Sequence, residues 1–133
     1  MAQLSERQLS ATKRVYDACI QFLHEFQRTA GFNDCWFDLK DSGSTDIETE
    51  LTEMADDKIK HICLILKQEY FDLRNCEIYN DLWEFVNEDL MNTYDGKLSY
   101  AYRFEALADG NPTTEDDYNK AMIRLNTIVG KYI

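Results

Sequence analysis

Proline occurs once in this chain of 133 residues and glycine five times. Most of them stand where helical periodicity stops, so they punctuate a helical chain. Histidine occurs only twice. Neither His24 nor His61 has a Glu three residues before it, which removes the paired Glu-x-x-His ligand pattern of di-iron bundles. The four cysteines, Cys19, Cys35, Cys63 and Cys76, include no C-x-x-C pair and no compact framework; they read as reduced thiols without zinc-site spacing. Long apolar runs are missing too. The longest, Ile62 to Leu66, is far too short to span a bilayer, and the opening MAQLSERQLSATKR lacks the apolar stretch of a secretory signal. A cytoplasmic setting is expected, in the cell of origin or in an infected host. Glycine-rich phosphate loops, H-E-x-x-H and nucleophile elbows are absent. So is a basic patch for nucleic acid, since Arg7, Lys13 and Arg14 form only a thin cluster beside balancing acids.

Apolar residues are plentiful at 44%, with two Trp, eight Tyr and seven Phe, enough to offset the ordering entropy that leaves polar chains disordered. A length of 133 residues suits one core. No repeat, low-complexity tract or long linker divides it, so a single helical domain over 1–133 is expected. Periodicity predicts an all-α bundle of four to five helices at approximately 5–30, 45–71, 76–94, 98–109 and 114–131. The first opens with Ser5 and Gln8 as a capping box, carries Leu9, Thr12, Tyr16, Cys19, Leu23, Phe26 and Ala30 on one stripe, and stops at Gly31. Residues 31 to 44 then read as a connection with inward-looking Phe32, Trp36 and Phe37, and Cys35 to Leu39 suit a short strand. Thr45 and Glu48 read as a second capping box ahead of an apolar face running from Ile47 to Leu66 and on to Tyr70. The segment 98–109 fits both periods; its ending, Asp109-Gly110-Asn111-Pro112, favours helix.

The formal net charge is −11, and it is placed rather than spread. Residues 41 to 95 hold fifteen of the 25 acids and four of the 14 bases, which already leaves −11, while the flanking stretches each cancel. Such a field repels nucleic acid and anionic lipid and attracts basic surfaces or cations. At 100° per residue, Asp46, Glu50, Glu53 and Asp57 fall in a band of roughly 60° opposite the apolar face of the second helix. Glu77, Asp81, Glu84 and Glu88 repeat that spacing on the third. Neither row has an interleaved base, although like charges at i, i+4 cost a few tenths of a kcal/mol each. Eleven residues of helix rise about 16 Å, so one row offers a charge every ~5 Å, against one phosphate per ~3.4 Å along a DNA strand. A single row is too sparse to imitate a duplex, and two side by side approach one strand. Asp89 is the exception on the third helix, because its angle lies with Leu82 and Phe85. A carboxylate there is expected to be paired, by a salt bridge or a Tyr hydroxyl at the edge of the core.

The group Glu50-x-x-Glu53 with Glu84, Glu88 and Asp89 loosely resembles the E-x-x-E plus E-x-x-D pattern of all-helical nucleotide pyrophosphohydrolases, which implies a small metal-dependent phosphohydrolase as the alternative function. The third helix contains no E-x-x-D, however, and these acids lie on polar faces. Cys19 and Cys63 fall on or beside apolar stripes, where a small core residue is the usual explanation. A structural subunit of an oligomeric assembly is a third reading. The main expectation is a non-enzymatic protein-binding module or inhibitor, of the immunity or viral counter-defence type, with no cofactor, catalytic residue or metal ligand assigned. Its partner-binding face is Asp46, Glu50, Glu53, Asp57, Glu77, Asp81, Glu84 and Glu88. The expected partner is a basic protein surface such as the nucleic-acid channel of an enzyme, with nearby aromatics slowing dissociation. Direct binding of nucleic acid or membrane is not expected, and a homodimer is compatible with the sequence.

Overall fold

The computed structural model describes residues 4–92 and 113–132. These residues form six α-helices and no strand: α1, Glu6–Phe22; α2, Thr29–Asp41; α3, Ile47–Gln68; α4, Tyr70–Leu73; α5, Glu77–Phe85; and α6, Thr113–Val129. The all-α bundle expected from periodicity is present. The helix expected at 98–109 and the stop expected near residue 95 lie outside the described residues.

α1 begins as its capping box predicts. The Ser5 hydroxyl accepts a hydrogen bond from the Gln8 N–H at 3.2 Å, and the Gln8 Oε1 accepts one from the Ser5 N–H at 2.9 Å. It does not end at Gly31. At Leu23 the helix widens into a π-helical turn, Leu23–Gln27, closed by the Arg28 N–H donating to the Leu23 carbonyl at 2.9 Å. The chain then breaks at Arg28, whose φ of −85° and ψ of 134° are extended. α2 follows at once, and Gly31 stands in its first turn, where a Cβ would overlap the His24 carbonyl. That glycine permits the close approach of α2 to the π turn and forms no left-handed cap.

The expected connection and strand over 31–44 are therefore mostly helix. The physical reason is a spacing that competes with alternation: Phe32, Cys35, Trp36 and Leu39 stand at i, i+3, i+4 and i+7 and all pack on the core. Phe37, expected to face inward, falls outside that stripe and is 55% exposed. α3 is capped one residue later than expected, by Asp46, whose Oδ1 accepts from the Thr49 N–H at 3.2 Å; Asp serves as well as Thr at that position. Nor does α3 run on to residue 71. It ends at Gln68, and Glu69 turns the chain into the single turn of α4.

Two ion pairs hold that turn against the first half of α1. The Nε and Nη2 of Arg14 donate to the two carboxylate oxygens of Glu69 at 2.7 and 2.8 Å, and Arg7 Nε reaches Asp72 Oδ1 at 3.0 Å. Beyond α5 the helix widens again into a second π-helical stretch, Val86–Asn92. Phe22, Phe26 and Phe32, Leu51 and Leu66, Leu82 and Phe85, and Leu125 and Val129 share one buried cluster. α3 packs on α1, on α2 and on the second π-helical stretch, whereas α5 packs on α6. Within this core Gln27 is wholly buried, and neither end of its amide has a hydrogen-bond partner among the described residues. An unsatisfied buried amide costs about 1–3 kcal/mol, and here it coincides with the π turn. All four thiols are free, and burial pushes Cys19 up to about 12, which keeps it protonated and poorly nucleophilic at neutral pH. No helix among the described residues is long and apolar enough to cross a membrane.

Candidate docking surface

The outward side of α3 follows from its inward side. Leu51, Ala55, Ile59, Ile62 and Leu66 are buried at i, i+4, i+8, i+11 and i+15, the stripe a helix lays on its neighbours. Asp46, Glu50, Glu53 and Asp57 fall opposite and are exposed. No ion pair among the described residues engages Glu50, Glu53 or Asp57. Asp46 does double duty, since its carboxylate is the helix cap. Seven residues beyond Asp57 the same side of α3 carries Leu64, 55% exposed; past the turn at Glu69, Phe71 of α4 is 78% exposed.

Glu77, Asp81, Glu84 and Glu88 share the periodicity and not the surroundings. α6 lies antiparallel to α5, with Arg124 near Glu88 and Tyr132 near Glu77. α6 and the turn that follows it border the α5 row with Arg124, Thr127 and Ile128 of the helix and Lys131 of the turn. Arg124 Nη2 meets Glu88 Oε2 at 3.1 Å, and its Nε meets Asp89 Oδ1 at 3.2 Å. Asp81 and Glu84 line an open hollow of about 290 Å³ with those four residues. Glu77 is exposed; its charge and that of Asp81 add to burial in raising the Tyr132 phenol above its ordinary value.

Asp89 is paired through a salt bridge, one of the two partners its angle called for. Burial still raises its carboxyl above the usual aspartate value; Arg124 opposes the rise, and Glu88, which shares the same guanidinium, adds to it. Charge pairing and desolvation act against each other here, and desolvation is the larger of the two.

The eight expected contact residues thus divide. Four stand on α3 with no described cation paired to Glu50, Glu53 or Asp57, while on the α5 row Asp81 and Glu84 border Arg124 and Lys131, Glu88 is paired outright, and Glu77 lies near Tyr132. Of the acids that resemble a phosphohydrolase set, Glu88 and Asp89 are both engaged by Arg124. Among the described residues no three His, Cys, Asp or Glu gather closely enough to hold a metal.

Sequence reasoning missed two features. The first is the pair of cations beside α5, Arg124 on α6 and Lys131 in the turn after it, seven residues apart in the sequence. The second is a ladder of rings around α4. Tyr70 touches Phe71 and Tyr79 with ring centroids 5.9 and 5.8 Å apart, and Tyr79 touches Trp83 at 6.4 Å, each contact edge-to-face. The Arg74 guanidinium lies 5.6 Å from the centre of the Phe71 ring. Tyr70, expected on the apolar face, is 47% exposed, and Trp83 is only partly buried. Comparison of the chain with family models, with curated proteins and with solved structures finds no match in any of the three.

Proposed function

We propose that this chain is a non-enzymatic protein-binding module that docks on a basic, nucleic-acid-binding protein through the outward row of α3. One observation carries the reading: Glu50, Glu53 and Asp57 are exposed and engaged by no ion pair among the described residues, whereas the matching row on α5 borders Arg124 and Lys131. A helix gains from interleaved bases and loses from like charges at i, i+4, so a row kept acidic and unanswered is costly to the monomer and useful to a cationic partner. Such a row speeds encounter with a basic surface in a salt-dependent way. It also repels free nucleic acid. The partner is accordingly a protein whose own cationic channel or face accommodates phosphates.

The test is a matched pair of variants in affinity capture. Glu50→Gln, Glu53→Gln and Asp57→Asn together should abolish retention of a species that the parent chain holds at low salt and releases at high salt. Asp81→Asn with Glu84→Gln should leave that retention largely intact. Equal capture by the parent and the α3 triple variant would remove the reading.

A further inference from the structure

We infer that the hollow between α5 and the end of α6 is a binding site for a free basic α-amino acid, arginine above all. It is built from the α5 row and its neighbours, so it goes beyond the docking row of α3 and does not depend on it. The antiparallel register sets the layout. Arg124 meets Glu88, and each step back along α5 matches a step forward from Arg124, which sets Ile128 level with Glu84 and Lys131 level with Asp81. Two acids therefore share a space of about 290 Å³ with two cations. Among the described residues no ion pair closes Asp81 or Glu84 onto either cation, although all four side chains line the same hollow. Opposite charges that border one gap without meeting leave room for a molecule that carries both signs. Ile128, only 8% exposed, adds an apolar patch between them.

Both sides of the hollow have bonding capacity to spare. Arg124 commits its Nη2 to Glu88 and its Nε to Asp89, while its Nη1, a further donor group, takes part in neither pair. Lys131 has an ammonium with no ion pair among the described residues. Asp81 and Glu84 offer acceptors only, and the Thr127 hydroxyl, which donates to the Ile123 carbonyl at 2.7 Å, can still accept. An anion alone would meet the two acids, and a cation alone would leave Lys131 unanswered. A zwitterion suits both. The charge balance then selects its kind, because the carboxylates of Asp81, Glu84, Glu88 and Asp89 stand against Arg124 and Lys131 alone, which favours a ligand with one extra positive charge. A basic amino acid brings a carboxylate for Lys131 and the Arg124 Nη1, methylenes for Ile128, and a cationic tip for Asp81 and Glu84. Guanidinium suits that end better than ammonium, since its planar fork meets carboxylates with paired N–H groups. The volume lies near the small end of ligand pockets, about 300–1,000 Å³, which matches a free amino acid and not a nucleotide.

Titration of the isotope-labelled full chain with L-arginine at constant ionic strength, followed by amide chemical shifts, tests this. Saturable shifts should centre on Glu84, Ile128 and Lys131, with a Kd of about 1 mM or tighter. L-citrulline, which keeps the shape and lacks the guanidinium charge, should bind about tenfold more weakly. Agmatine is the sharper probe, because it lacks the carboxylate and carries more positive charge. The parent chain should prefer arginine to agmatine severalfold, and Lys131→Met should reverse that order. Asp81→Asn with Glu84→Gln should weaken arginine about tenfold, whereas the α3 triple amide variant should bind it as the parent does. The dispersion of the same spectra shows whether each variant is folded. Agmatine binding the parent as tightly as arginine would reduce the site to a patch of negative charge and overturn the inference. An equal loss in the α3 variant would do the same, as would an absence of saturation at about ten times the expected Kd. None of these results bears on capture of a basic protein by α3.

Discussion

The acid rows of α3 and α5 have the same sign and the same i, i+4, i+7, i+11 spacing, yet they meet different company. On α3 the row lies opposite the stripe that packs against α1 and α2, and no described residue pairs with Glu50, Glu53 or Asp57. On α5 it borders α6, which places Arg124 on Glu88 and Asp89, and Lys131 of the turn after α6 lines the hollow shared with Asp81 and Glu84. Periodicity decides which side of its own helix a carboxylate takes. Whether that carboxylate is then available depends on the next helix over, and a binding surface has to be read from pairs of helices.

Removing the neighbour's cation tests this contrast hardest. Arg124→Met leaves Glu88 and the partly buried Asp89, whose side chain is 16% exposed, without a counter-charge. The loss should be about 1–2 kcal/mol, held to that range because Arg124 is 39% exposed and water screens it. It should appear as a lower urea midpoint at neutral pH with an unchanged slope. Adding Asp89→Asn should recover most of it by removing the uncompensated charge. An unaltered midpoint in Arg124→Met would mean that α6 does no more for the α5 row than water does for the α3 row.

A smaller effect comes from acid titration, and its sign separates two kinds of paired carboxylate. Burial raises Asp89 above the ordinary aspartate value, so the native state binds that proton more tightly than the unfolded chain. Its contribution to stability is full in acid and declines as pH rises from the ordinary value through the raised one. Glu69 behaves oppositely. The hydrogen bonds from Arg14 hold it below the usual glutamate value against the opposing effect of burial, so its contribution is full above that usual value and is lost as pH falls through the lowered one. Urea midpoints followed between about pH 3 and 7 should lose the first slope in Asp89→Asn and the second in Glu69→Gln. The reverse assignment would show that Arg124 outweighs burial at Asp89.

Much of the bundle was legible because burial and helical spacing coincide. Leu51, Ala55, Ile59, Ile62 and Leu66 announce one face of α3, and Ser5 with Gln8 announces the start of α1. The break at Arg28 was not legible, because an arginine carries no stop signal and the glycine three residues later looks like one. Its true use, letting α2 cross the π turn at His24, depends on a contact between elements. The pairing of Asp89 could be deduced from its angle, since a carboxylate among Leu82 and Phe85 needs a partner; that the partner is Arg124 could not, because it lies 35 residues further along the sequence and meets Asp89 only through helix packing. For the docking surface the acids were readable as a row. The exposure of Leu64 was readable in principle by adding seven to Asp57, but an apolar residue on a helix is ordinarily assigned to the core; that of Phe71 was not, because it depends on the turn at Glu69.

The smallest effect is the sharpest comparison, because one kind of substitution should act in opposite directions on the two rows. Amides at Glu50, Glu53 and Asp57 relieve repulsion along α3, a few tenths of a kcal/mol per like-charged pair, and forfeit no described ion pair. Thermal midpoints should rise slightly, and the rise should fade as salt shortens the screening length from about 10 Å at 0.1 M toward 3 Å at 1 M. Asp46 is best left out of the set, since its oxygen caps the helix. On α5, Asp81→Asn with Glu84→Gln relieves the same repulsion but gives up attraction to Arg124 and Lys131 across the hollow, so the midpoint should hold or fall. A rise of equal size in both variants would mean that the α6 cations do not act on the α5 row, and the distinction on which the docking surface was assigned to α3 alone would go with them.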